Sequence, residues 1–365
     1  MRRKLGITII DLYIVRKFLG TFFFSIALIL SIAVIFDFSE KIDNFLDHDA
    51  RLIDILTKYY LNFVPYFAVL FSSLFTFVSV IYFTSRMAYR TEFIAIICSG
   101  MSFSRILRPY FFSAAVLAIF SFVLSDYVIP NSNRVRLEFE ETYYHSIPMR
   151  VTERNIHRQI EPGVYIYMES YSTISDLGHR FSMEKYEDGK LVSKLMSDYV
   201  KWDSTISKWV IRNYYIREID EFTETVTKGT RIDTTLLLHP SDFKRRLNFM
   251  ETMSIRELKD YIVQLKMLGE SNVKAYQIEK NKRYAFPVSS FILTLIGVSV
   301  SSRKVKGGIG MQLGIGLLVA FSYLLFMQFS SQFAIKGNLH PAIAVWMPNL
   351  VFAFIATFLY RLSPK

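Results

Sequence analysis

The sequence is poor in the residues that carry covalent and redox chemistry. It has one cysteine, Cys98, which leaves no internal disulfide and no indication of redox function. It has no G-x-x-x-x-G-K-[ST] segment. The glycine-rich run at 307–316 lacks a following lysine and opens an apolar stretch, where glycines serve close helix packing rather than a phosphate cradle. No cofactor is expected in this chain, ATP included. Its six histidines are scattered, with no i,i+4 pair and no cysteine beside them, a pattern that does not build a metal site. A G-x-S-x-G elbow is also missing, so no nucleophile is placed and no enzyme is expected.

What the chain has in excess is apolar bulk. Of its 365 residues 52% are hydrophobic, 33 are Phe, and the mean hydropathy is +0.26, which points to the membrane class. The net charge of +11 would suggest nucleic acid in a soluble protein, but here Lys and Arg cluster beside apolar runs, as membrane topology requires. Nucleic acid is therefore not an expected partner.

Taken in order, residues 1–17 carry five basic residues ahead of an apolar run from Phe18 to Phe38. That run exceeds a signal-peptide core, and no A-x-A-like site follows it, so it reads as a retained first span. An acidic loop over 39–58 follows, then a second span from Tyr59 to Phe83 containing Pro65. The third span runs from Tyr110 to Ile129, with Pro130 as its stop. Residues 131–283 lack any long apolar window. They show alternating runs at 163–170, 190–203, 208–219 and 223–238, separated by turn signals at Glu187-Asp188-Gly189 and Lys228-Gly229. Short strands at this spacing predict a sandwich or jelly-roll domain. Ser254 with Glu257 opens a helical pattern that Gly269 ends, and a second helical stretch from Val273 enters the fourth span at Pro287. A basic link at 301–308 separates it from a fifth span over 309–329, and the sixth runs from Pro341 to Tyr360. The expected fold is thus an α-helical membrane protein of six transmembrane helices (3+3) with an inserted β-jellyroll-like domain. Its parts are 1–130, the insertion at 131–283 with a helical return at 254–283, and 284–365. The positive-inside rule puts both termini and the basic links in the cytoplasm and the β domain outside.

Two sets of candidate functional residues follow. Between the second and third spans lies a polar island with Arg86, Arg90, Arg105 and Arg108 against one acid, Glu92. Thr91 is placed to cap a helix that Gly100 ends, and Phe93, Ile96, Ile97 and Gly100 share one of its faces, an apolar stripe suited to a partner's groove. The plain alternative for Glu92 is a favourable charge at a helix start. The second set, Asp37, Lys41 and Asp126, sits at the outer ends of the first and third spans. An intramembrane acid is a functional candidate, and hydration at the interface is the plain alternative.

Several motifs resemble those of one family in order and topology. Asp11-Leu12-Tyr13-Ile14 is similar to a D-R-Y-I opening. Arg90-Thr91-Glu92-Phe93-Ile94-Ala95 with Ser99-Gly100 is similar to R-S-E-L-x-V…G, and Asp126-Tyr127-Val128-Ile129-Pro130 to E-W-V-x-P. Ser254-Ile255 through Leu265-Lys266 and Gly269, then Pro287, match the approach to the fourth span, and Trp346-Met347-Pro348-Asn349 resembles W-x-P-N in the sixth. On these the chain resembles the lipopolysaccharide export permeases of the LptF/LptG type, leaning to the G member. The resemblance implies a permease paired with an identical or paralogous subunit in the bacterial inner membrane. It further implies a cytoplasmic ATPase dimer that binds ATP and seats on the coupling helix at about 91–100, and periplasmic jellyroll bridge proteins that receive the lipopolysaccharide. It assigns Arg90, Glu92, Phe93, Ile96, Ile97 and Gly100 to ATPase coupling and Asp37, Lys41 and Asp126 to the lipid. The better-studied members are basic near the outer end of the first span, whereas this chain has only Lys41 there among Asp37, Glu40 and Asp43. The rival readings are a mechanotransmission permease for lipoproteins and a membrane receptor with an external β domain.

Overall fold

A computed structural model describes residues 8–143, 152–220, 223–236, 238–240, 243, 247–267, 269, 272–303 and 307–363. The link residues 304–306 lie outside these. The described chain forms helices α1 (Ile9–Asp47), α2 (Leu52–Tyr89), α3 (Glu92–Cys98) and α4 (Phe103–Tyr143), then strands β1 (Thr152–Glu161), β2 (Val164–Ser172), β3 (Leu177–Glu187), β4 (Lys190–Asp203), β5 (Lys208–Ile219) and β6 (Glu224–Thr234). Helices α5 (Ile255–Met267), α6 (Val273–Ser301), α7 (Gly308–Lys336) and α8 (Pro341–Leu362) complete it. Six of them, α1, α2, α4, α6, α7 and α8, are long and apolar enough to cross a membrane. The chain divides into two units, residues 1–139, 251–255 and 274–365 in one, 140–250 and 256–273 in the other.

In the membrane unit, α1 starts with a capping box: the Asp11 amide donates to Thr8 Oγ1 and the Thr8 amide to Asp11 Oδ2. The helix then runs 39 residues, roughly 58 Å, well past what a bilayer needs. The acidic segment read as a loop is therefore mostly helical. Phe45 is buried against Tyr59 and Phe139, and this packing carries the helix on. Pro130, expected to close the third span, lies inside α4 instead. A π turn over Leu124–Val128 widens the backbone just ahead of it and spares the ring a clash with the preceding turn. A similar π turn, Ile55–Tyr60, precedes Pro65 in α2.

Two apolar clusters fill this unit, one among α1, α2, α3 and α4 joined by Val298 of α6, and the other among α2, α6, α7 and α8. Helix α2 belongs to both. Two glycines allow the close approach: a Cβ at Gly297 of α6 would lie 2.8 Å from Val80, and one at Gly316 of α7 would strike Ile81. Of the glycine-rich run, Gly310 and Gly314 face open space, so only Gly316 supports the packing role there in this way.

The second unit carries one antiparallel sheet whose six strands pair in chain order, β1 to β6. The expected β insertion is present, and the described strands form an up-and-down meander. Asp188 and Gly189, both at positive φ, make the tight β3–β4 turn expected of them. Lys228 and Gly229 are not a turn but lie within β6, opposite Tyr215 and Tyr214. Glycine at 229 leaves room for the tip of the Tyr214 ring, which lies where a Cβ would be. The alternating side chains Ile166, Met168, Phe181, Leu195 and Trp209 face a common core, which the segment after β6 closes: Trp209 Nε1 donates to the Leu238 carbonyl at 2.7 Å, and Phe243 stacks on Tyr171.

Candidate functional site

The first candidate region is the short helix α3. Two residues separate it from α2, and Thr91 turns the corner in the left-handed region at φ 62°. The expected side-chain cap is not made, because in this conformation Thr91 Oγ1 donates to the Arg90 carbonyl rather than accepting from the helix. Gly100 at φ 89° follows the helix end, as a stop signal should. Phe93 is fully buried with its ring against Phe103, and Ile96 and Ile97 pack on the same cluster. Of the stripe, Phe93 is taken up by the chain's own core, while Ile96 and Ile97 are half-buried and Gly100 is exposed. What α3 shows to the surroundings is Ile94, Ala95 and Cys98, with Glu92 half-exposed and Arg90 exposed just ahead of the helix.

Glu92 is tied within the chain: Tyr13 Oη donates to its Oε2 at 2.9 Å. A second tie crosses the same end of the bundle, where Arg105 donates to both carboxylate oxygens of Asp11 at 2.7 and 2.5 Å. The sequence drew attention to Arg105 as one of the basic residues of the island and to Tyr13 within the Asp11–Ile14 motif, but gave neither its partner, which lies far off in the chain. These bonds lock the start of α1 to α3 and to the start of α4.

The second candidate set splits. Asp37 and Lys41 pair at 2.9 Å one turn apart on α1, Tyr60 donates to Asp37 at 3.2 Å, and Lys41 bonds Tyr59 Oη while lying over that ring. Asp126 has a different task. Its Oδ1 accepts the Ile255 amide at 2.7 Å and so caps α5 across 129 residues of chain.

The third feature is a cavity of about 550 Å³ among α2, α4, α6 and α7, within the size that takes a drug-sized ligand. Leu70, Phe71, Phe286, Phe321 and Leu325 line its body, and Glu251, Glu279, Lys282 and Arg283 its polar end. None of these was singled out from the sequence; the charged run Lys280 to Arg283 beside an apolar span was the available signal. No ion pair or hydrogen bond of Lys282 is found among the described residues.

The sequence model of the lipopolysaccharide export system permeases LptF/LptG matches residues 12–362, through every membrane helix and the β insertion. The chain belongs to this family. It is a lipopolysaccharide export permease, a multi-pass inner-membrane protein that acts in a transport complex with other subunits and is a transport component rather than an enzyme. A comparison with individual curated proteins returned no match. The matched range takes in both α3 and the β insertion that lies between the third and fourth membrane helices.

Proposed function

We propose that this permease is one half of an ATP-driven extractor. With a second permease subunit, identical or paralogous, it takes lipopolysaccharide from the outer leaflet of the inner membrane and passes it through the β unit to a periplasmic bridge. A cytoplasmic ATPase dimer supplies the ATP hydrolysis. The observation that carries this reading is the family match over 12–362. Helix α3 is the coupling element: Arg90 and Glu92 meet the ATPase, while Phe93, Ile96 and Ile97 hold the helix in place from below. Two further features support the reading. The most lipid-facing spans are α1 and α7, each with 22% of its apolar window buried, which leaves them available to a paired subunit and to lipid between the two. Among the described residues β1 and β6 are the edge strands of the sheet, and either could receive a bridge strand. The apolar cavity favours a lipid carrier over a mechanotransmission permease.

The test is affinity purification from native membranes in mild detergent, with identification of co-purifying protein and lipid. A recovered ATPase together with lipid A-bearing lipid supports the proposal. A folded protein recovered with neither overturns it.

A further inference from the structure

The cavity among α2, α4, α6 and α7 carries a charge that the described chain does not answer. On α6, Glu279, Lys282, Arg283 and Phe286 fall at i, i+3, i+4 and i+7, so the polar end of the cavity and the start of its apolar body lie on one face of one helix. The other ionic groups at that end have partners. Arg283 meets Glu279 at 3.3 Å and donates to the Met253 carbonyl at 2.6 Å. Glu251 accepts from Tyr66 at 3.1 Å and from Asn133 at 3.4 Å, and lies 3.9 Å from Arg136. Two carboxylates thus stand against three cations, and Lys282 is the cation without an ion pair or hydrogen bond among the described residues. An ammonium beside an apolar cavity favours an anion that will meet it there.

The body of the cavity suits an acyl chain better than water or a free ion. Its serine hydroxyls are spent on one another or on a neighbour: Ser72 bonds Ser121 at 2.9 Å and Ser73 bonds Ser289 at 2.8 Å. Leu70, Phe321 and Leu325 line the cavity while staying 42%, 53% and 54% exposed on α2 and α7, two of the membrane spans. The cavity therefore opens sideways, toward the chains of the bilayer. Its volume of about 550 Å³ has room for one acyl chain beside a head group, and not for a glycolipid that carries many chains.

We propose that this cavity holds one glycerophospholipid with a singly anionic polyol head group, of the phosphatidylglycerol kind, its phosphodiester on Lys282 and one acyl chain in the apolar body. The excess of one cation matches the single charge of a phosphodiester. Glu251 and Glu279 keep carboxylate lone pairs that accept the hydroxyls of the polyol, since each carboxylate offers about four acceptor sites. A zwitterionic ethanolamine head group carries no net charge and leaves the excess uncancelled. Such a lipid is a resident of one permease subunit, and the lipopolysaccharide reading does not require it.

Native mass spectrometry of the full-length permease in detergent, with dioleoylphosphatidylglycerol or dioleoylphosphatidylethanolamine added, reads the site. The wild type should retain one phosphatidylglycerol, held about tenfold more tightly than phosphatidylethanolamine. Lys282→Ala should weaken its binding by about tenfold, the worth of one charge-assisted hydrogen bond, and Lys282→Arg should keep it. Because Lys282 has no partner among the described residues, the alanine variant should show the wild-type thermal midpoint without added lipid, which separates lost binding from lost folding. Leu325→Trp fills the opening and should exclude the lipid with Lys282 in place. Purified lipopolysaccharide added in competition should leave phosphatidylglycerol bound. Undiminished retention by Lys282→Ala or Leu325→Trp, equal binding of the two phospholipids, or displacement by lipopolysaccharide would overturn the proposal. Recovery of an ATPase and of lipopolysaccharide from native membranes is a separate result, so the extractor reading and the resident lipid fail independently.

Discussion

Tyr13 and Glu92 join the first membrane helix to the coupling segment through one hydrogen bond of 2.9 Å across 79 positions of chain. Glu92 therefore has an internal partner as well as the external one proposed for it, and the two roles separate by mutation.

Glu92→Lys puts a positive charge where an ATPase groove is expected to offer one of its own, so association should weaken by about tenfold or more. Glu92→Gln should have a milder effect. Tyr13→Phe removes only the internal bond and should leave ATPase recovery unchanged. Co-purification of the ATPase with each variant is the readout. Normal recovery with a folded and inserted Glu92→Lys protein removes α3 as the docking element.

Asp11 and Arg105 hold the starts of α1 and α4 together through two bonds. Truncating either to Ala should lower the thermal midpoint of the detergent-solubilised protein, and the double variant should fall little further than the worse single one. Additive losses would show that the pair does not act as a unit.

Gly297→Val forces atoms into space held by Val80. Overpacking of this kind costs about 1–3 kcal/mol, and Val80→Ala should recover part of it. Thermal unfolding in detergent measures both, and an unchanged midpoint in Gly297→Val would show that α2 and α6 separate freely.

In the β unit, Trp209→Phe leaves the Leu238 carbonyl without its donor in a buried setting. The expected cost is about 1–3 kcal/mol, concentrated on the segment after β6. Faster amide exchange there, with β3 and β4 little changed, is the expected pattern; uniform acceleration across the sheet would argue instead for global loss of stability.

Orientation is tested with single cysteines in a Cys98→Ser background. Positions Asp47, Asp188 and Asn338 should react with an impermeant thiol reagent in intact cells, and Ser104 should stay silent. Labelling at Ser104 but not at Asp188 would reverse the proposed topology.

The six spans and the strand-rich insertion were legible in the sequence because each depends on local composition. A run of about twenty mostly apolar residues reads as a membrane span, and short runs rich in Val, Ile, Tyr and Trp such as Lys190–Asp203 or Lys208–Ile219, bounded by turn signals, read as strands. Gly100 and Asp188-Gly189 were legible for the same reason, since a left-handed backbone angle is a one-residue property. The rest was decided at a distance. Pro130 did not end its helix because a π turn ahead of it took up the conflict, and the acidic stretch after Phe38 stayed helical because Phe45 found Tyr59 and Phe139. Phe93 read as part of an open stripe until Phe103 covered its ring. Glu251 gave no signal at all in the chain, because Tyr66, Asn133, Arg136 and Arg283 come from three different helices. A buried acid acquires its character from the dielectric and the charges packed around it, and only the tertiary structure assembles those.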